Sequence, residues 1–268
     1  MVSEEDIDSF QRDGVVVLRG VFSDWVEPLR EGMAAVHAAP SALERTYRPQ
    51  DGSAAFFQDF CRWSDIPAFQ RYVYESPAAA IAAQLMQSNS ARFFHDHTLI
   101  KWPGNSTVTP WHQDEPYYCV RGEQSVSFWT PLDPVEQAIS LQCVATSHRW
   151  SEKGFRPDRF DGSALYAQGG DFDAPRDIEA NRDAYRILSW AVEPGDAVAF
   201  NFRTLHGAAA NTARCPRRVF SARWVGDDAR FAKRPGRTSP PFAHLMLEDG
   251  AELPAADFPR IWPAASPA

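Results

Sequence analysis

Three residues of this chain have the types and spacing of a metal-binding set. His112 and Asp114 lie two residues apart within the run Thr109–Tyr118, so on a β-strand both side chains would project from the same face. His206 lies further along the chain, directly before a glycine, and would complete a set of two imidazoles and one carboxylate. Such a facial set is typical of non-haem Fe(II) oxygenases, and it leaves three coordination positions open for a co-substrate and dioxygen.

A lone His-x-Asp pair also fits a surface strand with two polar residues facing solvent, but the context favours metal binding. Trp111 and Pro116 flank the pair with bulk and rigidity, which suits a site shielded from water. His206 follows a turn at 193–196 and a predicted strand at Ala197–Phe202, and we expect that strand to deliver an inward histidine at its end. The sequence therefore predicts one metal site built from these three residues.

A cation is predicted near the metal set. Arg217 and Arg218 open a predicted strand eleven residues after His206, and the connection through 207–216 predicts a hairpin that makes the two strands neighbours. An arginine facing the metal could hold one end of a dicarboxylate through a bidentate, charge-assisted pair. The other interpretation of this arginine is a solvent-exposed side chain at the start of a strand, with no ligand. A register slip of one residue exchanges which of the two arginines faces inward.

A second histidine pair offers an alternative metal set. His95 and His97 form a cupin-type His-x-His pair, which could bind a metal together with His112. Pocket wall or hydrogen-bonded core is the other interpretation of this pair. Nothing in the chain resembles a phosphate-binding glycine loop or a nucleophile elbow.

Charge and composition exclude several classes of function. Lys and Arg total 27 against 35 Asp and Glu, for a net charge of −8 without a basic block, so neither nucleic acid nor membrane is expected as a partner. No apolar run is long enough to span a bilayer, and the acidic start of the chain lacks the apolar core of a signal peptide. The four cysteines form no Cys-x-x-Cys pair and are interpreted as reduced thiols. We expect a cytoplasmic protein, monomeric or homodimeric, that acts on a small molecule.

The predicted elements are helices followed by short strands, which indicates a β-sandwich or jelly roll with a helical flank. Helices are predicted from Ser3 to Gln11, from an N-cap at Ser23 to His37, and from Ala78 to Gln87. A buried strand is predicted at 14–18. The later strands are predicted at Ala91–Trp102, Val108–His112, Ser125–Leu132, Ile139–Ala145, Ile187–Val192, Ala197–Phe202 and Arg218–Val225.

The chain length fits one domain. We predict a helical flank at 1–90, a jelly-roll core at 91–230 and a wrapping tail at 231–268. Two segments, Ser41–Pro67 and Ser151–Asp183, are predicted to be irregular and long enough to close over a pocket.

The chain resembles the phytanoyl-CoA dioxygenase family of Fe(II)/2-oxoglutarate oxygenases over nearly its whole length. The resemblance implies a mainly β (α+β) fold, a double-stranded β-helix (jelly roll, cupin-like) with flanking N-terminal helices. It implies that His112, Asp114 and His206 bind iron and that Arg217 pairs with the distal carboxylate of 2-oxoglutarate. The matching runs are His112-Gln-Asp114, Pro194-Gly-Asp196, His206-Gly207 and Arg217, with further similarity at Asp13–Gly20 and at Ser147-His148.

The resemblance also implies roles for other residues near the co-substrate. Trp129 matches an aromatic position of the family, and Lys101 is a further co-substrate candidate. Relatives often carry a Ser or Thr two residues after the second histidine, where this chain has Ala208. A helper hydroxyl would therefore come from Thr130 or Ser221, or be missing.

The reaction implied by the resemblance uses Fe(II), 2-oxoglutarate and O2, with ascorbate as an in vitro reductant. The co-substrate would leave as succinate and CO2 while an organic metabolite is hydroxylated or otherwise oxidised. Asp114 favours oxygenation, because related halogenases carry Gly or Ala in place of the carboxylate. No basic patch suited to a CoA phosphate is present, so a metabolite smaller than an acyl-CoA is expected.

Two other functions are compatible with parts of the pattern. One is a cupin-like metal enzyme that does not use 2-oxoglutarate, such as an isomerase or hydrolase, and the other is a non-catalytic metal-binding relative. Arg217 separates the oxygenase from the first, because a site without the co-substrate needs no cation there. The intact triad argues against the second.

Overall fold

Four helices and thirteen strands make up the residues that the computed structural model describes, which are 2–159, 163–166 and 169–263. The helices are α1 (Glu4–Asp13), α2 (Val26–Ala38), α3 (Pro67–Glu75) and α4 (Ala78–Met86). None of these helices has the length and apolar character needed to cross a membrane. The strands are β1 (Val15–Leu18), β2 (Phe56–Phe60), β3 (Ala91–Lys101), β4 (Thr109–His112), β5 (Val120–Arg121), β6 (Ser125–Pro131), β7 (Leu141–Val144), β8 (Ile187–Ser189), β9 (Ala197–Phe200), β10 (His206–Ala208), β11 (Arg217–Val225), β12 (Arg230–Phe231) and β13 (Arg260–Trp262).

Two antiparallel sheets enclose one cavity and form the jelly roll. The larger sheet has the strand order β1-β9-β6-β11-β3-β13, and β2 pairs with the C-terminal half of β3. The smaller sheet has the order β4-β10-β7-β8. Side chains from both sheets line the cavity. β5 and β12 form a separate two-stranded pair.

The helices pack on the outer face of the larger sheet. Phe220 of β11 contacts Phe69 and Tyr72 of α3, with ring centroids 4.4 and 5.2 Å apart. Burying each such aromatic side chain contributes about 1.5–3 kcal/mol. Since neighbouring residues of a strand face opposite sides, Phe220, Ala222 and Trp224 of β11 pack in the helical layer. Arg217, Val219, Ser221 and Arg223 face the cavity.

The junction between α1 and β1 depends on a glycine. Ser3 caps the start of α1 in a capping box with Asp6, and the helix ends at Gly14, whose φ of 75° is left-handed. A Cβ at Gly14 would lie 2.3 Å from Nδ1 of His148, so a side chain at this position would clash as well as strain the backbone. The glycine therefore lets the chain enter β1 directly after the helix.

The strands predicted from Ala91 onward are all present, with ends shifted by at most three residues. The predicted cap at Ser23 is wrong. Ser23–Trp25 form a 3-10 turn ahead of α2, and the Ser23 hydroxyl donates to the carbonyl of Gly20 (2.9 Å) instead of accepting from the helix. Helix α3 was not predicted, and it precedes α4 with only two residues between them.

The predicted irregular segment Ser41–Pro67 contains a strand. Phe56–Phe60 are all buried, so β2 shows none of the alternation of a half-exposed strand, and its Gln and Asp are unusual in a buried one. The larger sheet also contains strands from outside the predicted jelly-roll core. β1 and β2 come from the predicted helical flank and β13 comes from the predicted tail, yet all three belong to the larger sheet.

Candidate metal centre

The three predicted ligands meet beside the β4–β10 pair. Register places His206 directly opposite His112. Asp114 follows β4 in a turn, where its backbone N–H and that of Glu115 donate to the carbonyl of Phe202 (2.7 and 3.1 Å). Two expectations were wrong in detail. Asp114 lies in this turn rather than on the strand, and His206 begins a strand of its own because a turn separates β9 from β10.

The ligand atoms are close enough together, and suitably oriented, to bind one metal ion. Nε2 of His112 and Nε2 of His206 lie 3.7 and 3.8 Å from Oδ1 of Asp114, and all three donor atoms lie within 4.8 Å of one another. The Nδ1 atoms of the two histidines donate to the carbonyls of Pro110 (2.7 Å) and Thr204 (2.9 Å). These bonds fix the tautomer in which each Nε2 carries a free lone pair for a metal.

The electrostatics favour the protonation states that a metal needs. Burial and the nearby imidazole of His112 lower the pKa of His206 to about 3, so its ring is neutral. Burial alone would raise the pKa of Asp114, but the charge of Arg223 and the two imidazoles outweigh it and hold that pKa well below its usual range. A carboxylate and a neutral imidazole are the ligating forms.

A buried arginine that the sequence analysis missed supports the carboxylate ligand. Nε of Arg223 lies 3.4 Å from Oδ2 of Asp114, and the Ser127 hydroxyl donates to the same oxygen (3.2 Å). Arg223 also donates to the hydroxyl of Tyr118. These contacts occupy Oδ2 and leave Oδ1 facing the histidines. The available signal was strand alternation, because Arg223 is an even number of residues after Arg217 on the same strand.

The cavity has a volume of about 680 Å³ and extends from the metal set along the inner face of the larger sheet. Register aligns the wall in rows of side chains. The first row is cationic, and the last row reaches the Asp114 carboxylate through Arg223. The rows are Phe56–Lys101–Arg217, Gln58–Leu99–Val219, Phe60–His97–Ser221–Trp129 and last Arg223, whose register partners His95 and Ser127 do not line the cavity.

Arg217 faces the cavity and Arg218 faces away from it. Arg217 is 5% exposed and donates to the carbonyls of Ile139 and Ala209, the second at 3.2 Å. It makes no ion pair with any carboxylate in the described part of the chain, and burial lowers its pKa to about 10. Arg218 donates through Nε to the carboxylate of Asp133 (2.9 Å). Of these two arginines, Arg217 is therefore the one that the cavity offers to an anion.

Lys101 lies beside Arg217, and we call these two residues the anchor pair. The register between β3 and β11 places them opposite each other, and both line the cavity. Nζ of Lys101 lies within hydrogen-bond distance of the carbonyls of Thr107 (2.7 Å) and Ala209 (3.3 Å) and of the hydroxyl of Thr109 (3.0 Å). Burial, with the neighbouring Arg217, lowers its pKa to about 6. A buried arginine beside a buried lysine that can take up a proton forms a site suited to a carboxylate.

Of the other predicted co-substrate residues, two face the cavity and one faces away from it. Trp129 and Ser221 are register partners and both line the cavity, and the Ser221 hydroxyl has no hydrogen-bond partner among the described residues. Thr130 lies on the opposite face of β6, towards the hydroxyl of Tyr72 in the helical layer. The suggestion that Thr130 supplies a helper hydroxyl is therefore wrong, because neighbouring residues of a strand face opposite sides.

The hairpin predicted between His206 and Arg217 is not formed. β10 pairs with β4 and β7 in the smaller sheet, and β11 pairs with β3 and β6 in the larger one. The connection between them crosses from one sheet to the other. The two residues consequently face the same cavity from opposite walls.

The alternative set of His95, His97 and His112 does not come together. Within the described residues, the group of three possible ligands close enough to share an ion is the triad described above. Burial, with the charge of Arg223, holds the pKa of both His95 and His97 well below the usual value for histidine. His97 lines the cavity, stacked on Phe60, and His95 packs against Tyr118.

The described residues of the long segment at Ser151–Asp183 dock on the turn after β4. The hydroxyl of Tyr117 donates to the carbonyl of Asp158 (2.5 Å), and the hydroxyl of Tyr166 donates to the carbonyl of Pro116 (2.8 Å). Several residues of the segment also line the cavity. Its described residues thus cover one side of the cavity and contact the turn that carries a candidate ligand.

Comparison with known protein families agrees with this geometry. The family described as phytanoyl-CoA dioxygenase (PhyH) matches residues 10–219, which include all three candidate ligands and Arg217. The chain belongs to the phytanoyl-CoA dioxygenase family. Among curated proteins, it is similar to a probable phytanoyl-CoA dioxygenase from Caenorhabditis elegans, with 25% identity over 209 residues. That match covers 74% of this chain and 64% of the relative, so the chain spans less than two thirds of the relative's length.

Solved structures confirm the jelly-roll fold of this family member. The non-heme alpha ketoglutarate dependent carbocyclase SnoK from nogalamycin biosynthesis superposes with a TM-score of 0.76 at 20% identity, covering 97% of this chain and 96% of SnoK. The epimerase SnoN, in complex with Fe3+, alpha ketoglutarate and nogalamycin RO, gives 0.75 at 20% identity, covering 96% and 98%. EctD from S. alaskensis, with 2-oxoglutarate and 5-hydroxyectoine, gives 0.70 at 18% identity, covering 94% and 86%.

Proposed function

We propose that the protein is an Fe(II)- and 2-oxoglutarate-dependent oxygenase that oxidises a small organic molecule and releases succinate and CO2. The observation that carries this proposal is that the triad and the anchor pair line the same cavity. A metal site alone would fit many enzymes. A metal site that shares its cavity with a buried arginine and a buried lysine suits a co-substrate with an anionic end.

The donor set fits iron. Two imidazoles and one carboxylate on one side of an ion leave the remaining positions for small molecules, as in non-haem Fe(II) oxygenases. His112, Asp114 and His206 would hold the ion, and Arg223 would keep the carboxylate turned towards it. Iron bound there supplies the activation of dioxygen, which the side chains of the protein do not provide.

The anchor pair fits the distal carboxylate of 2-oxoglutarate. Arg217 offers a planar guanidinium for a bidentate pair, and Lys101 adds a second charge beside it. The free hydroxyl of Ser221 and the indole of Trp129 lie two rows nearer the metal set and would contact the rest of the co-substrate. The neighbours SnoN and EctD, whose structures contain alpha ketoglutarate or 2-oxoglutarate, support this assignment.

Hydroxylation is the reaction that we propose for the substrate. The chain keeps a carboxylate among its candidate ligands, and Asp114 is held ionised by Arg223. The cavity walls position the substrate and exclude water from the reacting carbon. SnoK is named a carbocyclase and SnoN an epimerase, so the products must be identified directly.

The proposal is tested by succinate formation from 2-oxoglutarate in the presence of Fe(II), O2 and ascorbate, with a metabolite library as substrate. We expect succinate and an oxidised product in equal amounts, identified by mass spectrometry. Product formed without 2-oxoglutarate, or tight zinc binding with no oxygen uptake, would instead support the cupin-like isomerase or hydrolase.

The pKa of Lys101 predicts a pH dependence of 2-oxoglutarate binding. In the free protein this pKa is about 6, because the side chain is buried beside Arg217. The groups that face it otherwise are uncharged, namely the Phe56 ring, the Thr109 hydroxyl and backbone carbonyls. A bound carboxylate favours the charged ammonium, so binding takes up a proton above pH 6. Affinity should rise as pH falls from 8 to 6, by up to about tenfold per unit.

Calorimetry in buffers of different ionisation enthalpy measures this proton uptake directly, with Zn(II) saturating the metal site. The variant Lys101→Met should lose the uptake and keep weaker binding through Arg217. Binding that is independent of pH in the unmodified protein would show that Lys101 is already charged, or that it does not contact the co-substrate.

Two segments are predicted to close over the cavity when it is filled. Because β2 is paired within the larger sheet and the backbone of Arg45 and Tyr47 is bonded to β2, the first lid shortens from Ser41–Pro67 to residues 48–55. The second lid is Ser151–Asp183, of which residues 160–162 and 167–168 lie outside the described residues. Amide hydrogen exchange should be fast in both lids in the free protein and slow with metal, 2-oxoglutarate and substrate bound. Equal protection in both states would show that these segments are fixed walls.

A further inference from the structure

The cavity is cationic although the chain as a whole is acidic. The described residues that line it include six Lys or Arg side chains and two carboxylates, whereas the whole chain carries a net charge of −8. A cleft with one sign of charge and low-dielectric walls concentrates ligands of the opposite sign. The cavity therefore carries an excess of basic side chains, whereas the whole chain carries an excess of acidic ones.

Four of these six cations already have an identified role. Arg223 contacts the carboxylate of Asp114 (3.4 Å), and Arg156 pairs with Asp158 (3.0 Å). The anchor pair accounts for two more through the proposed co-substrate. Two cations, Arg45 and Arg159, are left without a carboxylate in the described part of the chain.

The two remaining arginines differ in how their donors are used. Arg159 donates to the carbonyls of Ala164 and Leu165, the latter at 2.9 Å, so its guanidinium holds its own loop. Arg45 donates through one nitrogen to the carbonyl of Glu44 (2.9 Å). A guanidinium has five N–H donors in a fork that matches a carboxylate or a phosphate. Arg45 therefore has donors available for a ligand at the cavity mouth.

The backbone of Arg45 is fixed to the cavity wall. Its N–H donates to the carbonyl of Gln58 (2.8 Å), and two residues later Tyr47 and Phe56 form a β-bridge. The segment thus continues the sheet beyond β2, and its side chain is exposed at the mouth. A cation on a backbone held by the sheet is better placed to orient a ligand than one on an unattached loop.

The wall between the mouth and the metal set is apolar and aromatic. Phe60 stacks on His97, with ring centroids 3.9 Å apart and planes 23° apart, and both rings line the cavity. Phe60 and Gln58 are alternate residues of β2, so the aromatic surface continues inward from the residue that binds the backbone of Arg45. A flat apolar body would pack well against such a surface.

Resting on the proposed function, we propose that the substrate is an organic anion. Its carboxylate or phosphate binds Arg45 at the mouth, and its apolar or aromatic body packs on the Phe60–His97 stack. This arrangement leaves the anchor pair to the co-substrate and makes Arg45 a determinant of substrate specificity.

The test compares matched acidic and neutral probes by calorimetry. The protein is saturated with Zn(II) and 2-oxoglutarate, so that the anchor pair is occupied and no turnover takes place. The probes are phenylacetate with phenylacetamide, naphthoate with naphthamide, and phenyl phosphate with phenol, the last pair separating phosphate from carboxylate recognition. We expect the anions to bind at least about tenfold more tightly than their neutral partners, and added salt to weaken the anions alone.

Variants then assign the preference to one residue. Arg45→Ala should remove the preference for anions, and Arg45→Lys should retain part of it because the charge remains. Arg48→Ala is the matched control, since Arg48 is exposed on the same segment and does not line the cavity. Neutral probes binding as tightly as anions, no anion binding at all, or a preference that survives Arg45→Ala would each overturn the proposal.

Failure of the anion site and failure of the proposed function give different results. Binding of 2-oxoglutarate and formation of succinate are measured on the same preparations. Loss of both with an intact Arg45-dependent preference would reject the oxygenase and retain the anion site. Normal turnover without that preference would reject the anion site alone.

Discussion

Replacing His206 with alanine is expected to abolish both divalent-metal binding and 2-oxoglutarate turnover in a protein that remains folded. His206 supplies one of three donor atoms that lie within 4.8 Å of one another, and three protein ligands are the minimum for this facial site. The imidazole is buried, so its removal leaves a small void that costs about 1–3 kcal/mol of stability. Most domains tolerate a loss of this size.

Thermal unfolding with and without metal measures the expected effect. Saturating Fe(II) or Zn(II) should stabilise the unmodified protein, by about 2.7 kcal/mol at a hundredfold excess over Kd, and should not stabilise His206→Ala. The control is His244→Ala, because His244 is exposed and bonds to Asp257 outside the cavity. Metal affinity close to normal in His206→Ala would show that the ion is held elsewhere.

The candidate ligands could be predicted from the sequence because residue types and short spacings are enough to recognise them. The His-x-Asp pair and the His-Gly step identify the donors whatever their backbone geometry. The geometry itself was not predictable. Asp114 reaches the site from a turn anchored on the carbonyl of Phe202, and His206 is aligned by the register of β10 with β4. Both contacts join residues far apart in the chain.

The sequence did not predict which sheet each strand joins or which side of a strand faces the cavity. Strand positions were predicted well where apolar residues dominate, and β2 was missed because the buried Gln58 and Asp59 interrupt its apolar residues. Thr130 was misplaced because the facing of β6 is set by its neighbours β9 and β11. Arg223 was missed because its partner Asp114 belongs to a distant turn. The family resemblance supplied the co-substrate interpretation, which spacing alone left as a dicarboxylate.

Replacing Arg217 with alanine is expected to raise the KM for 2-oxoglutarate at least about tenfold, with much less effect on the KM for substrate. A buried carboxylate left without its charged partner costs about 2–5 kcal/mol, and about 1.4 kcal/mol corresponds to a factor of ten. Lys101 remains beside the vacated position and would retain part of the binding. Steady-state succinate formation at varied 2-oxoglutarate and fixed saturating substrate measures the effect.

Arg218→Ala is the matched control, because it removes the same side chain from the next residue of the same strand. Arg218 faces away from the cavity and pairs with Asp133, so its loss should change stability by about 0–1 kcal/mol and leave the KM for 2-oxoglutarate unchanged. If Arg218→Ala raised this KM and Arg217→Ala did not, the inward face of β11 would be the opposite one. Because Val219, Ser221 and Arg223 share the face of Arg217, such a result would also remove Arg223 from the metal centre. The two variants therefore test which face of β11 points into the cavity, and with it the placement of both Arg217 and Arg223.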